Sequence, residues 1–288
     1  MVDKLHAPVI CWYQDHARDL PWRGDATPWA IMVSEFMLQQ TPVARVLPVF
    51  NDWMSRWPTP SDLAGVTAGE AIRAWGRLGY PRRALRLHAA AIDITRKHDG
   101  QVPDNIEELR CLPGVGEYTA AAIASFAFHQ AHVVLDINVR RLFERAVGGR
   151  ANPSAAVPVA ERERAAGLMP DDAQAPTWAA ATMELGALVC TSRNPACHAC
   201  PISTYCAWRL GGYPNDETVP VRRQRWHGTD RQCRGRIMAV LRDAPGPVAK
   251  SKLDLAWPDA TQFERCLDSL LDDGLVEPAD GDRFSLPR

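Results

Sequence analysis

LPGVGEYTAAAIASFAFHQAHVVLDINVRR, residues 112–141, decides the reading of the fold. The run from Pro113 to Gly116 makes a tight turn ahead of an alanine-rich apolar helix. Glycine has no Cβ, so the backbone of Gly114 and Gly116 can approach an anion closely. The helix opening at Glu117 turns its unpaired N–H groups and positive dipole end to the same spot. The stretch therefore reads as a phosphate-gripping hairpin with Leu112, Gly114, Val115 and Gly116 at its tip. Asp136 ends an apolar run and precedes the helical pattern Ile137-Asn138-Val139-Arg140-Arg141-Leu142-Phe143, which makes it an N-cap. Helix-terminal N–H groups are expected to lower its pKa and keep it ionised.

Upstream, residues 4–17 read as a helix, followed by a Pro- and Gly-punctuated loop carrying Arg18, Leu20, Trp22 and Arg23. Trp29 to Leu38 is almost continuously apolar, as suits a helix buried on most faces, and Glu35 interrupts it. A buried carboxyl should have a raised pKa and hold a proton to donate, although buried acids more often pair with an arginine or cap a helix. Helical periodicity continues through 42–56, 67–77, 82–98 and 104–111, with joins such as WPTPSD and GQVPDN. Tyr80 stands at a glycine-flanked turn beside Arg82 and Arg83. An isolated tyrosine at such a turn commonly plugs a core.

Downstream, 156–168 and 175–189 read as helices. Cys190, Cys197, Cys200 and Cys206 follow with the spacing C-x6-C-x2-C-x5-C. Four thiols so close together point to a metal rather than to disulfides, and zinc competes with iron–sulfur. Cys11, Cys111, Cys233 and Cys266 are scattered and read as small buried hydrophobes. Residues 212–233 gather Gly, Pro and Arg and read as a linker. The remainder, 234–288, shows helices at 235–242, 251–255 and 260–273 and a hairpin at 275–286, a winged-helix-like pattern. No alternating strand pattern precedes residue 275. The module is acidic at its end, so packing on protein is as good a reading as binding DNA.

With 288 residues, 46% of them hydrophobic, the chain can bury a core and divide into about two domains. No uncharged apolar run approaches the ~20 residues of a membrane span, and the N-terminus lacks the pattern of a signal peptide. The expected compartment is the cytoplasm, beside the nucleoid. A net charge of −1 announces no polyanionic partner by itself. Arginines do cluster at 73–86, 140–150 and 222–236, as solvated helix faces or as local patches for DNA.

Four motifs, the string SEFMLQQT at 34–41, LGY at 78–80, the LPGVG hairpin with Asp136, and the cysteine spacing, run in the same order as in a known family. The sequence resembles the helix-hairpin-helix superfamily of base-excision DNA glycosylases, most closely the A/G-specific adenine DNA glycosylases, over residues 4–210. The resemblance implies an all-α, two-domain helix-hairpin-helix glycosylase with a 4Fe-4S cluster on the four cysteines, plus the winged-helix-like module. Residues 22–133 would form a six-helix domain carrying the hairpin. Residues 1–21 and 134–211 would form the cluster domain. Further implied are Glu35 as the acid that protonates adenine, Asp136 as the stabiliser of the sugar cation, and Tyr118 and Asn138 ordering the site. Arg18, Leu20, Trp22 and Arg23 would wall the base pocket, Gln40 and Tyr80 would wedge the base stack, and Arg82 and Arg193 would meet phosphates. A mono- or divalent cation is expected at the hairpin. Tyr118 stands where bifunctional relatives such as endonuclease III carry a lysine, so the sequence looks monofunctional. The implied partner is double-stranded DNA containing a mismatch, met by a monomer. Pro81 departs from the second tyrosine of many members, and Ala179 and Ala180 from their polar residues. The ~55 residues of the module fall short of the larger Nudix-like domain typical of the family. A thymine- or uracil-mismatch glycosylase and a non-catalytic iron–sulfur DNA-binding protein are the alternatives.

Overall fold

The computed structural model describes residues 3–214 and 226–288. In chain order the helices are α1 (Asp3–His16), α2 (Pro28–Leu38), α3 (Val43–Arg56), α4 (Pro60–Ala64), α5 (Ala68–Trp75), α6 (Arg82–Lys97), α7 (Ile106–Cys111), α8 (Glu117–Phe128), α9 (Ile137–Phe143), α10 (Val159–Ala166), α11 (Ala175–Leu188), α12 (Ala207–Leu210), α13 (Asp230–Asp243), α14 (Lys250–Asp254) and α15 (Ala260–Asp272). Strands β1 (Val248–Ala249), β2 (Glu277–Ala279) and β3 (Arg283–Ser285) complete the chain. The fold is all-α apart from this small sheet. Part of the expected linker, with Arg222, Arg223 and Arg225, lies outside the described residues.

The chain divides into two compact units. One gathers the described residues of Met1–Ile31, Asp104–Arg110 and Val115–Pro220, the other those of Met32–Pro103, Cys111–Gly114 and Val221–Arg288. In the first, α1 and α9 both pack on α11. Leu5 and Val9 meet Val139, Leu142, Trp178, Ala181 and Leu185 in one buried cluster. A π-helical turn at Glu144–Gly148 follows α9 and packs against α12.

In the second unit α4 and α5 pack on α6 and α3 on α5. Trp53 lies edge-on to Trp57 and Trp75. Capping boxes at Thr59–Asp62 and Thr67–Glu70 start α4 and α5, each cap contributing about 1 kcal/mol. Helix α4 lies in the segment WPTPSD, expected as a turn, because Thr59 and Asp62 satisfy each other's backbone N–H across a single short helix.

In the C-terminal module, expected over 234–288, the helices α13, α14 and α15 accompany an antiparallel sheet in the order β1-β3-β2; α13 opens at Asp230, inside the stretch 212–233 expected as a linker, because Thr229 caps it. Strand β1 corrects the expectation of no strand before residue 275. It is two residues long, too short to show alternation, and is held by pairing Val248 with Phe284. The module docks on α5: Arg73 donates from Nε to Arg242 O at 3.1 Å and from Nη2 to Ala244 O at 3.2 Å, and Gly69 N donates to Pro287 O at 2.7 Å. A Cβ on Gly69 would stand 2.5 Å from Pro287 O, so only glycine permits this approach.

Candidate active site

Glu35 is buried, 6% exposed, between Ser34 and Phe36 in α2. The end of that helix is fixed by Arg83. Its Nη1 donates to the carbonyls of Phe36, Met37 and Gln39 at 2.9, 3.0 and 2.6 Å, and its Nη2 donates to Thr41 Oγ1 and Gly79 O at 3.0 and 3.1 Å. One guanidinium thus satisfies the orphan carbonyls of α2 and ties them to the turn before α6. Burial pushes Arg83 down to about 10, which a group accepted only by neutral oxygens does little to resist. The two residues expected to wedge DNA stand on the segments it joins. Gln40 has φ +54° and Tyr80 φ +48°, a left-handed backbone uncommon for non-glycine residues. Tyr80 is 46% exposed rather than plugging a core. Arg82 forms an ion pair with Asp273 at 3.2 Å.

In the hairpin between α7 and α8, Leu112 and Val115 are buried anchors. The two glycines divide the work. Gly114 has φ +82°, and a Cβ there would stand 2.7 Å from Arg86 Cβ and 2.9 Å from Phe36 Cε1. Gly116 caps α8 without a side-chain hydrogen bond, and a Cβ there would meet nothing within 4 Å. The approach to the α8 N–H groups is open at Gly116, while Gly114 also packs closely on Arg86 and Phe36.

Tyr118, on the first turn of α8, packs against Ala121, Ala122, Val134 and Ala179. Asp136 caps α9 as expected, accepting from Val139 N at 2.7 Å and from Asn138 Nδ2 at 2.6 Å. Its expected low pKa is corrected: burial pushes the carboxyl above the usual range, and Val139 N–H, the Asn138 amide and the Arg141 charge only partly offset it. Arg141 donates to Asn138 Oδ1 at 2.9 Å, to Gly186 O at 2.7 Å and to Cys190 O at 2.7 Å, joining the acid's cap to the start of the cysteine loop. Helix α11 comes this close because Gly186 has no Cβ; one would lie 2.7 Å from Asn138 O.

Sequence reasoning missed Glu184 and Arg83. Glu184 is fully buried in α11 and takes Arg18 Nε and Nη2 at 2.8 and 2.7 Å, together with Arg23 Nη2 at 2.7 Å. Burial alone would raise its pKa, but the hydrogen bonds and charges of the two arginines bring it down to about 2. Both arginines thereby hold the 17–25 loop, in which Leu20 and Trp22 are buried. The signal for Glu184 was a lone charge in an otherwise apolar helix, like that for Glu35.

Cys190, Cys197, Cys200 and Cys206 line one hollow together with Leu142, Arg145 and Trp208. Arg145 Nη1 donates to Cys190 Sγ at 3.4 Å, and its carbonyl accepts from Cys206 Sγ at 3.3 Å. Burial and the neighbouring sulfurs push the Cys200 thiol up to about 11. Four sulfurs converging on one hollow suit a cationic iron–sulfur core, which would hold them as thiolates. Cys233 and Cys266 are buried as expected, but Cys11 and Cys111 are exposed, on faces of α1 and α7 turned to solvent. Arg193 is exposed in the same loop, its carbonyl accepting from Thr191 Oγ1.

Residues 33–163 match the HhH-GPD superfamily of base excision DNA repair proteins, and residues 190–206 the iron–sulfur binding domain of endonuclease III. An adenine DNA glycosylase of Mycobacterium tuberculosis is 52% identical over 97% of this chain and 92% of its own length. The chain belongs to the adenine DNA glycosylase family of the HhH-GPD superfamily. Another of Mycolicibacterium smegmatis is 50% identical over 96% of this chain and 94% of its own. The structure of a thermostable thymine-DNA glycosylase is similar with a TM-score of 0.67 and 25% identity, over 73% of this chain and 97% of that one. As a member of this glycosylase family the protein is a DNA glycosylase of base excision repair with an iron–sulfur cluster. Among the described residues no helix is long and apolar enough to cross a membrane.

Proposed function

We propose that this glycosylase is monofunctional and removes adenine mispaired with 8-oxoguanine or guanine in duplex DNA. The observation that carries the reading is a carboxyl buried at Glu35, in a chain half identical to adenine DNA glycosylases over nearly its whole length. The adenine leaves the stack for a pocket to which Leu20, Trp22, Arg23 and Glu35 contribute, with Arg18 holding the loop. Glu35 donates its proton to adenine N7, and the N9–C1′ bond breaks with its electron pair leaving on the base. Asp136 stabilises the oxocarbenium-like sugar, and water closes on C1′ and returns a proton to Glu35. Asn138 orients Asp136 through their 2.6 Å hydrogen bond, and Tyr118 orders the site without an amine for a Schiff base.

Gln40 and Tyr80 wedge the stack, and the hairpin at 112–116, with a mono- or divalent cation, Arg82 and Arg193 take phosphates. Such contacts position the duplex without reading it, so choice rests on the pocket and the opposite base. Cys190, Cys197, Cys200 and Cys206 would hold the 4Fe-4S cluster. With every ligand a thiolate it offers no open position to substrate, and it shapes the loop that carries Arg193. The enzyme works as a monomer on chromosomal DNA in the cytoplasm.

The test is single-turnover cleavage on duplexes holding A opposite 8-oxoguanine, A opposite G, T opposite G or U opposite G. Adenine release, strand breaks only after alkali, and loss of release in Glu35→Gln are expected. Release of T or U moves the enzyme to the mismatch branch, and release of nothing leaves a DNA-binding protein.

A further inference from the structure

The Tyr80 ring is flanked from two parts of the chain. The Arg83 guanidinium stands 5.6 Å from its centroid, and that of Arg231, on the first turn of α13 in the C-terminal module, 4.8 Å. Arg231 also lies 5.5 Å from the ring of Trp226. The result is a ladder of alternating cations and rings, Arg83, Tyr80, Arg231, Trp226, whose two aromatics are 46% and 49% exposed.

Both rings turn their π-faces to the Arg231 cation. Its N–H donors lie in its own plane and point outward at the edge. Among the described residues Arg231 makes no hydrogen bond and no ion pair. The nearby carboxylates are committed elsewhere: Asp230 accepts from Arg265 at 2.6 Å and from Gln262 at 2.8 Å, and Asp273 is shared by Arg82 and Arg234. A cation near a helix N-terminus is electrostatically misplaced unless an anion joins it. Its position is fixed, because the bonds of Arg73 and Gly69 lock the module onto α5.

We infer that Arg231 is a DNA-binding residue of this enzyme, taking a backbone phosphate beside Tyr80, so that the C-terminal module forms part of the DNA surface. The inference rests on the reading of Tyr80 as the residue that enters the base stack. A phosphate accepts the two parallel N–H bonds that the free edge of Arg231 offers, and it supplies the missing anion.

The experiment measures binding of the full-length chain, carrying Glu35→Gln so that substrate persists, to a duplex with A opposite 8-oxoguanine across a potassium chloride series. Arg231→Ala is expected to weaken binding about tenfold near 0.1 M salt and to reduce the log–log salt slope by about 0.9. Arg231→Lys should retain the slope, since the charge remains. Unchanged affinity in Arg231→Ala, or weaker affinity with an unchanged slope and a lowered Tm, overturns the inference, because loss of packing alone releases no counterion. Tyr80→Ala separates the two readings. Weaker mismatch binding there, with none in Arg231→Ala, overturns the Arg231 contact alone. A reduced slope in Arg231→Ala with normal binding by Tyr80→Ala supports the phosphate contact and overturns the wedge.

Discussion

Asp136 and Glu184 are both shielded carboxyls, and their surroundings move them in opposite directions. Asp136 has its pKa raised, so its proton is held more tightly in the folded chain than in the unfolded one. Its contribution to stability is present below the ordinary carboxylate range and is lost as pH rises through the folded value. Glu184, lowered from 4.5 to about 2, contributes stability fully present above about pH 4.5 and lost as pH falls towards 2. Thermal unfolding against pH should separate them. Asp136→Asn, which keeps a good cap, is expected to raise Tm at neutral pH, to lose the gain in acid and to abolish base release. Glu184→Gln is expected to cost about 2 kcal/mol at neutral pH, a figure discounted for the 34% and 22% exposure of Arg18 and Arg23, with the cost fading below pH 4. The cap at Asp136 was legible because it is local. The sign of its pKa was not, since burial depends on packing that sequence spacing does not report. The tie of Glu184 to Arg18, 166 positions away, was invisible for the same reason.

At the scale of elements, what fixes the site is the closeness of helices. Helix α11 touches α9 at Gly186 without a side chain between them, and Arg141 bridges that contact to Asp136's neighbour Asn138 and to Cys190. Gly186→Ala would drive a Cβ into Asn138 O, and we expect urea unfolding to record a loss of about 2–3 kcal/mol with slower base release. The glycines of the LPGVG turn were readable as a motif, yet the sequence assigned both to a ligand. The packed surface of Arg86 and Phe36 shows that Gly114 is needed by the chain's own packing as well, which the motif alone does not reveal. Arg83 shows the same limit: it looked like one of a run of basic residues, and only the meeting of α2 with the turn at Gly79 makes it the clamp on the segments that carry Gln40 and Tyr80.

For the molecule as a whole, the order of motifs along the chain was sufficient for the fold family, because cysteine spacing and hairpin sequence are fixed by local chemistry. The path of the chain was less visible. Each unit is assembled from distant segments, and within the second unit 226–288 meets α5 and α6 through hydrogen bonds of Gly69 and Arg73 and the Arg82–Asp273 ion pair, which no periodicity foreshadows. The cysteine loop closes the first unit. Cys200→Ser is expected to yield protein without its iron–sulfur chromophore, with hydrogen-exchange protection lost chiefly from Glu144 to Leu210 while α3–α6 keep theirs. The fold also sets a timetable. Helix α1 packs on α11, and His6 reaches Leu168, 162 residues later. At ~5–20 residues per second, the stripe of Leu5 and Val9 leaves the ribosome roughly ten to thirty seconds before α11 exists to cover it. During that interval this stripe offers a chaperone an apolar surface to hold.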